Sequence, residues 1–194
     1  MKTNPTPSGQ TEEGSERRRQ ILEIAAQLFA RKGYRGTSMR DIGLQAGVLG
    51  GSLYHHIKSK DALFVELHGA ALDAAEERIA KAVRDQDGPW AKLQAACATL
   101  LEIQLAPDSL TTPMMNDFRE VPDAVRKQLI ARRDRFEDLF RVLVESLPLR
   151  PEIDRSIYRN LLLTQLNSTA DWYRPGRLKP ADLAAQIVAI FRQG

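Results

Sequence analysis

Residues 37–60 read TSMRDIGLQAGVLGGSLYHHIKSK, and the reading of this stretch decides the fold. Ser38 offers a hydroxyl cap, Met39 and Ile42 fall on one face of the turns that follow, and Gly47 ends them, so a short helix is expected over 38–46. Gly47 supplies the positive φ that an αL helix stop needs, and Val48 turns the chain into a second short helix over 51–57. Leu53 and Ile57 are four apart and face inward, which leaves Gly50, Gly51, Ser52, His55 and His56 outward. Two short helices crossing at a glycine hinge make a helix-turn-helix. By spacing alone, a helical hairpin in an all-α protein that never meets DNA fits as well.

In a DNA-binding unit of this kind the first turn of the second helix meets base edges in the major groove, while hydroxyls and cations hold phosphates. The candidate contacts are Thr37, Ser38, Arg40, Leu49, Gly50, Gly51, Ser52, Tyr54, His55, His56 and Lys60. Small residues at the front of the second helix let its backbone approach a surface closely.

Residues 21–64 also carry a resemblance. Ala25, Ala26, Phe29, Gly33 and Tyr34, then Thr37, Asp41, Ile42, Ala46, Gly47 and Val48, then Gly51, Leu53, Tyr54, Ser59, Lys60 and Leu63 resemble, position by position, the amino-terminal domain of the TetR family of bacterial transcriptional regulators. The resemblance implies a dimeric repressor that binds an operator and whose second domain binds a small molecule. Three positions depart from the family pattern: Gly43 where Ala is common, Leu49 where Ser often caps the recognition helix, and Ile57 where Phe is usual. Leu49 has no side-chain oxygen, so Gly50 or Gly51 is left to start that helix with a weaker cap.

The rest of the chain fits a soluble all-α protein. It has 194 residues, 43% hydrophobic and 27% charged, and no apolar run long enough for a membrane span. The start, MKTNPTPSGQTEEGSERRR, lacks the apolar core of a signal peptide and reads as a polar tail over 1–15, so the protein is expected in the cytoplasm. Net charge is +3, but residues 1–60 hold ten Lys/Arg against five Asp/Glu while the remainder holds eighteen against twenty. That surplus suits phosphate attraction near the helix-turn-helix and equally suits an ordinary solvated basic face. Arg17, Arg18 and Arg19 share the same two readings.

Apolar periodicity and punctuation by proline place about nine helices. The expected spans are 16–31, 38–46, 51–57, about 60–84, 89–106, 122–147, 151–173 and 180–193, with an irregular stretch around Pro113. No alternating strand pattern appears. The expected domains are 16–62 for the helix-turn-helix and 63–194 for effector binding and dimerisation. The fourth helix joins the two domains and is the natural lever between them.

Candidate effector-pocket residues are Leu93, Cys97, Leu100, Leu101, Met114, Met115, Phe118, Phe136, Phe140 and Asn167. Most of this set is also what a helical core needs. The distinctive piece is LTTPMMNDFREVP at 110–122, where flexible Met and Phe side chains suit an adaptable apolar pocket. Cys97 is the only cysteine, so no internal disulfide is possible; its apolar surroundings favour an inert thiol over a redox sensor. Residues 161–191 combine small and polar positions with Trp172 and a terminal apolar stripe. Leu161, Gln165, Ser168, Trp172, Ile187 and Phe191 are the candidate dimer contacts, forming a four-helix bundle with a second copy; ordinary intrachain packing explains the periodicity as well.

The run Trp172 to Gly176, WYRPG, is also similar to the carboxyl-terminal segment of a TetR subgroup that senses acyl-CoA thioesters, although Asp171 stands where some steroid-pathway members have a basic residue. The implied effector is apolar or acyl-CoA-like. Enzyme signatures are missing: there is no P-loop, GxSxG or HExxH, and adjacent His55 and His56 diverge by about 100° on a helix, poorly placed to share a metal. No cofactor or metal is expected. A DNA-binding regulator without an effector is the nearer alternative.

Overall fold

Local chemistry starts and stops the helices much as the sequence predicts. The computed structural model describes residues 8–48, 50–106, 109, 121–176 and 178–193. These contain eight helices and no strand: α1 Ser8–Lys32, α2 Met39–Ala46, α3 Gly50–His56, α4 Lys60–Arg84, α5 Pro89–Gln104, α6 Asp123–Glu145, α7 Arg155–Trp172 and α8 Pro180–Gln193. Helix α1 begins at Ser8 instead of residue 16, so half of the expected tail is helical. The stretch containing Pro113, Met114, Met115 and Phe118 lies outside the described residues.

Capping explains the boundaries. Ser38 has extended backbone angles, and its hydroxyl accepts from Asp41 N–H at 3.1 Å while Asp41 Oδ2 accepts from Ser38 N–H at 3.0 Å. This reciprocal box satisfies two backbone donors that a helix start leaves open. Ser59 caps α4 by accepting from Ala62 N–H at 3.1 Å, and Asp154 caps α7 by accepting from Ser156 and Ile157 N–H at 2.8 and 3.0 Å. Gly47 ends α2 in the left-handed region at φ 64, ψ 35, where an L side chain would be strained by about 1–2 kcal/mol.

The apolar side chains gather into two cores. The smaller unites Ile21, Ala25, Leu28 and Phe29 of α1 with Ile42, Leu53, Ile57, Leu63 and Phe64. Its centre is an aromatic group in which the Phe64 ring meets Phe29 edge-on at 4.9 Å and Tyr34 at 5.2 Å. The larger core is built from the distal half of α4 with α5, α6, α7 and α8. Helix α6 enters both: Val125 and Leu129 are in the smaller core, Phe136 and Phe140 in the larger.

His68 lies buried on α4 between these regions, and burial together with the nearby Arg132 and Arg133 charges lowers its pKa to about 4. An unfolded histidine titrates near 6.5, so between about pH 6.5 and 4 the unfolded chain binds the extra proton. Stability is expected to fall as pH drops through that window. Replacing His68 by Asn should flatten this part of the pH profile in equilibrium denaturation.

Candidate nucleic-acid interface

The second helix of the helix-turn-helix presents one face to the core and one to solvent. Leu53 is 1% exposed and Ile57 3%, whereas Tyr54 is 59% exposed. Gly51, Ser52 and His55 are exposed and His56 is half-buried on the same short helix. Arg40 is exposed on α2, and a cleft of about 350 Å³ between α2 and α3 is lined by Arg40, Leu44 and Tyr54 at its rim and Gly43, Val48 and Leu53 deeper in. Arg40 and Tyr54 therefore meet at one cleft, and Ser52 and His55 are exposed on the same short helix as Tyr54. Gly50 is the first residue of α3, one position before the expected start, and Leu49 lies outside the described residues.

Three expected contacts are spent inside the protein. Thr37 is 1% exposed, and its hydroxyl donates to Gly33 O at 2.9 Å, closing the turn after α1. Ser38 is exposed but is occupied as the α2 cap. Lys60 donates to Tyr34 O at 2.8 Å and to Thr37 O at 3.0 Å, with its ammonium 4.0 Å from the Tyr34 ring centroid. Two of its three protons thus tie the start of α4 to the loop before α2. Burial, together with the hydrogen bond its hydroxyl donates to Asp61, holds the Tyr34 phenol well above its ordinary range.

The amino-terminal arginines are likewise engaged. Arg17 donates to Ala46 O at 2.9 Å and Gly47 O at 3.2 Å, placing a cation on the carboxyl end of α2 where it complements the helix dipole. Arg18 binds both oxygens of Glu66 at 2.6 and 2.8 Å, joining α1 to α4. Arg19 pairs with Glu16 and Glu23 along α1. Sequence reading had no means to find these partners, because each interhelical one is 29 or more positions away.

In the other domain, Leu93, Cys97, Leu100, Leu101, Phe136 and Phe140 all pack in the larger core. Burial pushes the Cys97 thiol up to about 12, which removes thiolate reactivity at neutral pH. Asn167 is exposed and accepts from Gln104 Nε2 at 2.8 Å, a polar link between α5 and α7. Of the candidate dimer contacts, Leu161 is 59% and Trp172 50% exposed. Gln165 is exposed, and Ser168 and Phe191 are half-buried. Ile187 is buried in the core of its own chain, and Ile190, 69% exposed, faces outward three residues on.

Similarity to known proteins agrees with this layout. Residues 21–67 match the family described as bacterial regulatory proteins, tetR family, and residues 86–194 match the tetracyclin repressor-like C-terminal domain. The chain is 30% identical to the HTH-type transcriptional repressor KstR2 of Rhodococcus jostii (strain RHA1) over 98% of its own length and 96% of the relative's. Among solved structures, the ketosteroid transcriptional regulator KstR2 of Mycobacterium tuberculosis superposes with a TM-score of 0.73 at 26% identity, covering 90% of this chain and 92% of that one. AibR in complex with isovaleryl coenzyme A and operator DNA superposes with a TM-score of 0.76 at 25% identity, covering 90% and 97%.

Replacing Lys60 by Met keeps the stem and removes the two carbonyl contacts. It is expected to cost about 1–3 kcal/mol in equilibrium denaturation, the range for hydrogen bonds to a charged group and for leaving buried acceptors unpaired.

Proposed function

Because this chain belongs to the TetR family of bacterial regulatory proteins, we propose that it is a homodimeric repressor whose α3 helices read a palindromic operator and whose second domain releases it on binding a small apolar or acyl-CoA-like effector. The observation that carries this reading is the division of α3 into a face buried at Leu53, continued by the buried Ile57 just past its end, and an exposed Ser52, Tyr54 and His55 face. Gly50 and Gly51 let the backbone of its first turn approach base edges. Arg40, Ser52 and Tyr54 hold phosphates or bases, His55 and His56 extend the contact, and Leu49 precedes it. Thr37, Ser38 and Lys60 contribute chiefly by positioning: their side chains hold the loop and the first turn of α2 in place.

A two-fold dimer sets two α3 helices about one turn of B-DNA apart, roughly 34–36 Å, matching two operator half-sites. The exposed Ile157, Leu161, Trp172 and Ile190 on α7 and α8 support pairing there, since such an apolar surface is costly to leave in water. The complex of AibR with isovaleryl coenzyme A and operator DNA supports an acyl-CoA-like effector. The expected pocket residues on α5 and α6 are close-packed in the larger core, with the Gln104 and Asn167 amides bonded between α5 and α7, so such a ligand has to part these side chains to enter. Catalysis has no part in this reading.

Release requires the effector to favour an arrangement with the wrong α3 spacing. A coupling of about 1–3 kcal/mol weakens operator binding by roughly 5-fold to 150-fold. Helix α4 carries the change, and α6, with side chains in both cores, is a second direct route.

Tyr54→Ala and His55→Ala are each expected to weaken operator binding by about 1–3 kcal/mol in a salt-controlled titration, with the dimer intact by sedimentation. Parent-like binding by both would remove α3 as the reader. Leu161→Asp with Ile190→Asp should shift the protein to monomer and weaken operator binding as a consequence, while leaving helix content unchanged.

A further inference from the structure

The inward stripe of α6 runs Val125, Leu129, Arg132, Phe136, Phe140, with steps of three or four residues. The first two enter the smaller core and the last two the larger, so the single arginine falls at the junction. Opposite it on α4 is Gly69, which is buried. A Cβ at Gly69 would lie 1.9 Å from Arg132 Nη1 and 2.5 Å from its Cζ, so the guanidinium fills space that any larger residue at 69 would need. Among the described residues no hydrogen bond or ion pair holds Arg132.

The neighbouring His68 is also buried, and the Arg132 charge is one reason its imidazole stays neutral. A cleft of about 610 Å³ between α4 and α6, lined in part by Ala62, Glu66, Asp73, Gln128 and Arg132, opens beside the contact. The contact thus lies beside open space at the point where α6 passes from one core to the other.

We propose that Gly69 and Arg132 form the positioning contact that sets how α6 docks on α4, and through α4 where the recognition helix stands. This rests on the DNA-binding reading above for its effect on function, and on packing alone for its effect on geometry. Both residues act through the helices; neither touches DNA.

Gly69→Ala separates this role from plain packing. Alanine in a helix interior is favoured over glycine, and the obstructing atom is the tip of a flexible side chain with a cleft beside it. The variant should therefore melt no lower than the parent and yet bind operator at least about 5-fold more weakly, a coupling at the lower end of allosteric values. Arg132→Ala removes the obstacle, so Gly69→Ala combined with Arg132→Ala should bind like Arg132→Ala alone, a non-additive cycle. Spin labels at Gln45 on α2 and Asp138 on α6, both exposed, should report a shifted distance in Gly69→Ala and a distance like that of Arg132→Ala in the double variant. Unchanged distances and affinity, additive effects, or a marked drop in melting temperature of Gly69→Ala would overturn the proposal. A parent that binds no operator while the distance still shifts would sink the DNA-binding reading and leave the positioning contact standing.

Discussion

A seven-residue helix has no stability of its own in water, and α3 has only seven residues. Forming the first helical turn fixes several backbone angles for one hydrogen bond, so isolated helices shorter than about 12–15 residues are marginal at best. Helix α3 therefore exists because Leu53 and Ile57 are buried, a gain of roughly 1.5–3 kcal/mol for each side chain. Everything on its outer face inherits its position from that core. The Gly47 turn, the Arg17 cap on α2 and the Lys60 clamp on the preceding loop all serve the same constraint, each fixing one approach to the pair of short helices.

The core that holds α3 is not confined to the first four helices. Val121, Val125 and Leu129 belong to it, although they follow the helix that opens the second domain by more than thirty positions. A change in α6 packing around Phe136 and Phe140 is thus mechanically continuous with the support of the reading surface. Packed interiors resist small continuous deformation and pass between discrete arrangements instead, which is what a regulator needs from a lever. The Gly69 and Arg132 contact sits at the junction of the two cores, and no hydrogen bond or ion pair among the described residues ties Arg132 down.

How much of this was legible in the sequence depends on the range of the interaction. The capping box at Ser38, the stop at Gly47, and the start of α4 after Ser59 are local chemistry, and the chain declares them within four residues. The all-α class and the inward Leu53 and Ile57 follow from periodicity. The charge of Lys60 is visible in sequence and suggests a phosphate contact; its carbonyl partners, Tyr34 and Thr37, are 26 and 23 positions away and their geometry is not visible. The same holds for Arg17 and Arg18. Ile187 faces its own core and not a partner, and a helix stripe with apolar residues at 187, 188, 190 and 191 has no sequence feature saying which side another helix will cover. The glycine at 69 carried no local signal, since it punctuates no turn; only the arrival of Arg132 from another helix gives it meaning.

A regulator of this family couples a DNA-reading surface to a ligand-sensing interior within one chain. The most direct test of that coupling is titration of the purified protein against its own upstream DNA at fixed, stated salt, with and without a panel of acyl-CoA thioesters and free apolar acids. The account predicts saturable, sequence-specific binding that one class of compound weakens by roughly 5-fold to 150-fold. Binding that is specific but indifferent to every compound would contradict the sensing half. Binding that follows salt alone and ignores sequence would contradict the reading surface itself.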